Sequence, residues 1–307
     1  MLNFLKMKSN LAIVIPYYKI DFFKETLDSL ANQTHKNFKV YIGNDASPNN
    51  PSELLSKYKN DFDFEYFVFQ ENLGGKSLVN QWHRCIDLAK EEEWLMLLCD
   101  DDTITANYVE AFHNNKNEIS SANVAVVRYA SQVIDQNNNS LSNVINHPKI
   151  ENAVDFLFRK LKGGTRSTLS EYIFKRKIVH EIRFKNLPLA WYSDLLGVLE
   201  FSHFGNIYTL NEALLKFRLS GINITSKTDD HVLKNIATFQ FYFYLLTDKK
   251  NHFNKEQSAI LIDKLEKTIL DNKKNLNFWI KTLNLYIRNG KLLQFLSLIF
   301  KAIKRIL

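Results

Sequence analysis

Cysteine is nearly missing from this chain, with only Cys85 and Cys99 among 307 residues, no CxxC pair and no Cys/His cluster. That excludes a disulfide framework and a structural zinc site, and it predicts a reducing compartment in which both thiols are small buried hydrophobes. Glycine (9) and proline (5) are also scarce, which excludes collagen-like repeats, disorder and long flexible linkers. No stretch reaches the roughly 18 uncharged apolar residues of a membrane span. The apolar segment Leu11 to Ile15, behind Lys6 and Lys8, is too short for a signal peptide and runs into Pro16. These absences predict a cytoplasmic protein that is not integral to a membrane. Acid is missing from the end of the chain: eight Lys or Arg residues follow from Lys273 onward with no Asp or Glu, which leaves 32 basic against 33 acidic residues elsewhere. The net charge of +7 therefore belongs to the tail, and nucleic-acid binding by the whole protein is not expected.

What is present is ample apolar material, 45% hydrophobic and 13% aromatic residues, enough for one large domain with a smaller C-terminal appendage. Short apolar runs at Leu11 to Ile15, Phe38 to Ile42, Phe64 to Phe69, Trp94 to Leu98 and Val124 to Tyr129 read as strands. Helical spacing lies between them, as in Phe22, Phe23, Leu27 and Leu30, and in Leu78, Trp82, Cys85, Ile86 and Ala89. The alternation predicts an α/β fold with a mostly parallel sheet and functional loops at one edge. Further on, Glu151 to Leu161 and Trp191 to His203 read as helices. Thr168 to Lys175, Ile207 to Tyr208 and Leu214 to Leu219 read as strands, and from about Ser226 the pattern is all helical. The expected division is a body over 1–225 and a helical region over 226–307.

Three adjacent carboxylates, Asp100, Asp101 and Asp102, stand where the apolar run Trp94 to Leu98 stops. Open α/β sheets hold ligands at the carboxyl ends of their strands, and clustered carboxylate oxygens suit a hard divalent cation, which can in turn hold phosphates. The same acids could instead charge the start of a following helix, Thr105 to Asn117. Asn44 to Asn50 after the second strand and Asn72 to Lys76 after the third are dense turn signals expected at the same edge. Gly74-Gly75-Lys76-Ser77 resembles part of a phosphate-binding P-loop, but the place of that motif's first glycine is Gln70.

Taken together, Ile15-Pro16-Tyr17-Tyr18, Tyr41 to Ser47, Asn72 to Gly75 with Asn80, and Asp100-Asp101-Asp102 resemble, in order and spacing, the inverting family 2 glycosyltransferases, which have the GT-A fold. The resemblance extends to Ala190 to Asp194 and to Arg218 through Thr225. It implies a GT-A Rossmann-like catalytic domain with a C-terminal helical extension, acting in cell-surface polysaccharide synthesis. The expected reaction moves a hexose from a nucleotide-diphosphate sugar, a UDP-sugar first, to a hydroxyl of a glycan or lipid-linked acceptor. By resemblance, Pro16, Tyr17, Tyr18 and Asp45 hold the nucleotide and Asp100 approaches the ribose, with Gly74 and Lys76 also on the donor side. Mn2+ or Mg2+ is held by Asp101, Asp102 or both. Arg218 belongs to a late loop closing over the diphosphate, and Asp194 is the base. Cys99 occupies the place where many members have the first acid of Asp-x-Asp, and Ser193 replaces one of an acidic pair. A nucleotidyltransferase, a phosphotransferase and a non-catalytic sugar-nucleotide-binding scaffold remain as alternatives.

In Lys291 to Leu307, the residues Lys291, Gln294, Ser297, Lys301 and Arg305 share one helical face opposite a broad apolar one. Such a helix can lie in a membrane surface, with Phe278, Trp279 and Tyr286 as interfacial aromatics, placing the protein peripherally on the inner face of the cell membrane. Packing on the body or in a homo-oligomer is the alternative.

Overall fold

The computed structural model describes residues 10–221 and 230–304. Lys6 and Lys8, the Ile222 to Thr225 end of the late loop, the expected boundary at 225/226, and Arg305 and Ile306 lie outside the described residues. Those that are described fall into two compact units. One runs up to Asn186 and resumes at Ser193, and the other comprises Leu187–Tyr192 with the helices beyond residue 230.

In the first unit, β1 (Leu11–Tyr17), β2 (Lys39–Asn44), β3 (Asp63–Val68) and β4 (Trp94–Leu97) are parallel neighbours in the order β3-β2-β1-β4. The interior strands β1 and β4 are buried on both faces, so they read as unbroken apolar runs, whereas the edge strand β3 is largely exposed. The connections carry α1 (Phe23–Ala31), α2 (Ser52–Ser56) and α3 (Leu78–Ile86). Ser77 caps α3 by accepting from the Asn80 N–H, and the helix buries Val79, Trp82, Cys85 and Ile86.

The second half of the sheet is mixed. After β5 (Thr103–Ile104), α4 (Tyr108–Asn114) and α5 (Lys116–Ser121) come β6 (Val126–Ile134), β7 (Ile150–Asn152) and α6 (Ala153–Leu161). These are followed by β8 (Tyr172–Lys175), α7 (Arg176–Ile182), α8 (Ser193–Phe201) and β9 (Asn206–Arg218). β8 lies antiparallel between β4 and β6, β6 and β9 are parallel, and β5 and β7 each pair antiparallel with β9. The single helix expected over Thr105 to Asn117 is instead two short helices, α4 and α5, interrupted at Asn115. The two strands expected around Ile207 and Leu214 are one: β9 continues through a register shift at Tyr129/Ala130, and the polar Asn211 in that bulge exchanges hydrogen bonds with the His147 backbone.

The second unit contains α9 (His231–Thr247), α10 (Lys255–Asp271), α11 (Leu276–Arg288) and α12 (Leu292–Lys304). Two of the aromatics expected at a membrane interface are core residues instead. Phe278 is buried, stacked on Phe239 at 4.0 Å, and Tyr286 is buried with its hydroxyl donating to Glu266 at 2.6 Å. Trp279 is half-buried and donates to the Lys273 carbonyl. The reason is packing: α11 turns Phe278 onto Phe239 of α9, and turns Trp279 and Tyr286 toward Phe295 of α12.

Candidate active site

Because β1, β2 and β4 are parallel neighbours, their carboxyl ends lie side by side: Tyr17 pairs with Asn44 and Val14 with Leu97. Each end hands on to one of the turns singled out in the sequence. Asp100 bridges two of them, one carboxylate oxygen accepting from the N–H groups of Tyr18 at 2.7 Å and Lys19 at 2.8 Å. Asp102 is fully buried. Its Oδ1 accepts from the Arg218 N–H at 3.0 Å, its Oδ2 from the Ser170 hydroxyl at 2.6 Å, and its carbonyl from the Thr26 hydroxyl at 2.8 Å.

Asp101, between them, is different. Its carbonyl accepts from Arg218 Nε at 2.9 Å, but its half-buried carboxylate accepts no hydrogen bond from the described residues. Burial, then repulsion from Asp102 and Asp100, pushes that carboxyl well above the usual range. Burial also raises Asp100, against the pull of its two N–H donors, and pushes Asp102 up to about 6. Three acids held this way are short of positive charge, which a cation would supply. Ligand atoms of Cys99, Asp101 and Asp102 lie within 4.8 Å of one another. Asp101 offers free, hard oxygens, and Asp102 keeps lone pairs beyond its two bonds. Cys99 is only partly buried, contrary to the expectation of a buried hydrophobe, and its N–H donates to the Ser170 hydroxyl at 3.1 Å. Burial, followed by the neighbouring acids, raises its thiol far above normal, so it is a neutral, soft group that fits a hard cation poorly. The carboxylates of Asp101 and Asp102 would fit a hard divalent cation such as Mg2+ or Mn2+.

Across the same edge, Asp45 is buried and its carboxylate is occupied. It accepts from the N–H of Leu73 at 2.7 Å and of Gly74 at 2.8 Å, and is ion-paired with Arg84 of α3. A Cβ at position 74 would lie 2.6 Å from the Asp45 carboxylate, so this close approach requires glycine. Pro16 is half-buried. Tyr17 is buried against Phe23 with its hydroxyl donating to the Asn49 carbonyl, and burial pushes its pKa up to about 12. Tyr18 leaves its ring exposed.

The structure does not bring every candidate to one place. Lys76 is exposed and paired with Glu71 at 2.9 Å. Arg218 is wholly buried. Its guanidinium donates to Glu25 at 2.5 Å, to Asn138 at 2.9 Å and to the Asp135 carbonyl at 3.0 Å, and it stacks over Phe22. It clamps the end of β9 to the backbone of the acidic triplet rather than facing solvent. Asp194 is half-buried in the first turn of α8, and burial raises its pKa against the pull of the Leu195 N–H. No hydrogen bond among the described residues joins it to the triplet. The segment before it is strained, with left-handed φ angles at Leu189 (57°), Ala190 (55°) and Tyr192 (70°). Sequence reasoning missed Ser170, Arg84 and Glu25. None lies in a motif, and only the fold brings Ser170 to Asp102, Arg84 to Asp45 and Glu25 to Arg218.

The family described as glycosyl transferase family 2 matches residues 12–182. An uncharacterized glycosyltransferase of Rickettsia prowazekii is 24% identical over 231 residues, covering 72% of this chain and 69% of that protein. Among solved structures, residues 1–349 of S. aureus TarS in complex with UDP-GlcNAc superimpose with a TM-score of 0.59 at 16% identity, over 95% of this chain and 90% of that one. GalNAc-T7 with UDP, GalNAc and Mn2+ gives 0.51 at 11% identity, over 83% of this chain and 55% of that one. The nine-stranded sheet with C-terminal helices is thus of the GT-A type.

Proposed function

Because the chain belongs to glycosyltransferase family 2, and so is a glycosyltransferase, we propose that it moves a hexose from a UDP-sugar to a hydroxyl of a glycan or lipid-linked acceptor, inverting the anomeric centre. The observation that carries this reading is that the Asp101 carboxylate, between two acids fixed by the fold, accepts no hydrogen bond among the described residues. The binding of UDP-GlcNAc by TarS supports a uridine donor.

Transfer leaves negative charge on a diphosphate oxygen of the leaving nucleotide. Asp101, with Asp102 as a second ligand, would hold a divalent cation, which would supply a Lewis acid for that charge. Asp100 holds the Tyr18–Lys19 backbone, and with Pro16, Tyr17 and Tyr18 it would border the nucleoside. Asp45 would meet the base with the lone pairs that Leu73, Gly74 and Arg84 leave, while it fixes the Gly74 turn. Lys76 is left as an outer contact for phosphate once it releases Glu71. Arg218 is a positioning residue, acting on the donor through the backbone of Asp101 and the carboxylate of Asp102. Asp194 takes the acceptor hydroxyl proton, and its raised pKa makes it a stronger base than an ordinary carboxylate. The catalytic body is proposed to end close to residue 225, and the acceptor to be met at the inner membrane surface in polysaccharide synthesis.

The test is thermal unfolding with UDP, GDP, CMP and ATP, with and without Mn2+, for wild type and Asp101→Ala. A ligand that binds only the folded state at ~100 times its Kd adds about 2.7 kcal/mol. UDP with Mn2+ should stabilise wild type and not the variant. Stabilisation by ATP alone, insensitive to Asp101, would overturn the reading in favour of phosphotransfer. Product analysis separates transfer, which releases UDP, from nucleotidyl transfer, which releases pyrophosphate.

A further inference from the structure

α11 and α12 form a helical hairpin joined by the short link Asn289–Lys291. They meet through Trp279 and Tyr286 on α11 and Phe295 on α12. Each helix then leaves a second apolar stripe uncovered. On α11 it is Leu276, Ile280 and Ile287, at i, i+4 and i+11, with Leu276 74% exposed. On α12 it is Leu292, Leu293, Leu296, Phe300 and Ile303, with Leu293 82% exposed. Both stripes lie about a quarter turn from the shared seam in the direction of increasing residue number. In an antiparallel pair that rotation leads to the same side, so the stripes form one continuous two-helix face.

Cations flank that face on its outer sides. Lys281 and Arg288 follow the α11 stripe around its helix, and Lys304 follows the α12 stripe, lying over the Phe300 ring at 4.7 Å. Lys281, Arg288 and Lys304 are exposed and make no ion pair with the described residues, whereas Lys301 of α12 is paired with Glu266. From Lys273 onward the chain has no acid at all. A second copy of the chain packed symmetrically on this face would set cation against cation, which argues against self-association. An apolar strip between cationic flanks instead matches an anionic bilayer, where acyl chains take the apolar side chains and headgroup phosphates take the Lys and Arg.

We propose that the α11–α12 hairpin, and not α12 alone, docks the protein on an anionic membrane surface. The face does not depend on the donor chemistry and is testable apart from it.

The experiment is flotation of the full chain with phosphatidylcholine vesicles, with and without phosphatidylglycerol, at low and high salt. Wild type should float with anionic vesicles only, and high salt should release it. Leu293→Glu with Phe300→Glu, and separately Lys281→Glu with Arg288→Glu, should each lower the partition coefficient by about tenfold or more. All these side chains are exposed, and unchanged circular dichroism with retained stabilisation by UDP and Mn2+ would show that the variants remain folded. Wild type that stays in solution with anionic vesicles overturns the proposal. So does a wild-type dimer, seen by light scattering, that Leu293→Glu with Phe300→Glu turns into monomer. Wild type that floats as expected yet is not stabilised by UDP and Mn2+ would count against the uridine-donor reading and leave the flotation result standing.

Discussion

The Ser170 hydroxyl donates to the buried Asp102 carboxylate and accepts from the Cys99 N–H. Ser170→Ala removes the hydrogen bonds of Asp102 Oδ2 and of the Cys99 N–H, leaving the Asp102 carboxylate with the Arg218 N–H on Oδ1, and should cost about 1–3 kcal/mol in urea unfolding. It should also lower kcat/KM more than the conservative Ser170→Thr does, because the triplet loses its support. Gly74→Ala pushes a methyl against the Asp45 carboxylate, 2.6 Å away, and should raise the KM for donor while leaving kcat nearly unchanged. Asp194 makes a pH prediction. A base works deprotonated, and burial raises this pKa, so kcat/KM should climb with pH along an acid limb displaced above the ordinary carboxylate range. Asp194→Asn should lose about 10²–10⁴ in kcat together with that limb, while the donor Kd stays unchanged. A variant with wild-type turnover would remove Asp194 from the chemistry. At this scale the sequence displayed the acids but not their partners. The Asp100 to Asp102 run is visible by eye, whereas Ser170 and Arg218 reach it from 68 and 116 residues away.

Elements join into a second polar cluster away from the triplet. Glu151 of β7 accepts from Arg128 of β6 and from Arg159 of α6, each at 2.8 Å, and Arg159 also donates to His147 Nδ1 at 2.8 Å. That last bond needs a neutral imidazole. Burial, reinforced by the two arginines, lowers the His147 pKa to about 3. Unfolded, the ring would protonate near its ordinary value of 6.5, so the cluster's stability is present above that pH and is lost as pH falls toward 3. At about 1.4 kcal/mol per pKa unit the full loss is of the order of 5 kcal/mol. Urea unfolding of wild type at pH 7 and pH 5 should differ by more than that of His147→Gln, and equal pH slopes would refute the assignment. Element type was legible where burial makes the pattern plain, as in β1 and β4. It was not legible in β9, whose polar bulge at Asn211 and Glu212 looked like a break because its hydrogen-bond partner, the His147 backbone, is remote in sequence.

Over the whole molecule, charge is segregated. With the eight cations after Asp271 set aside, the chain is almost neutral. Reversing Lys281, Arg288, Lys291 and Lys304 to Glu takes the formal net charge from +7 to −1, because each change subtracts two. Retention on a cation exchanger at pH 7 should then vanish, with the circular dichroism unchanged. The sequence by itself determined the alternation of strands and helices, the acidic run at a strand end, the glycine turn and the acid-free tail, because each is a local pattern of period, punctuation or charge. Only the tertiary structure decided that, among the described residues, the Asp101 carboxylate accepts no hydrogen bond while its two neighbours are bonded, and that Arg218 is a buried clamp. It also decided that Phe278 and Tyr286 belong to a core while Leu293 and Phe300 face outward. These are questions of which groups meet across long separations in the chain. No local pattern encodes them, since hydrogen bonds and burial are settled only when the sheet brings distant strand ends together and the helices pair.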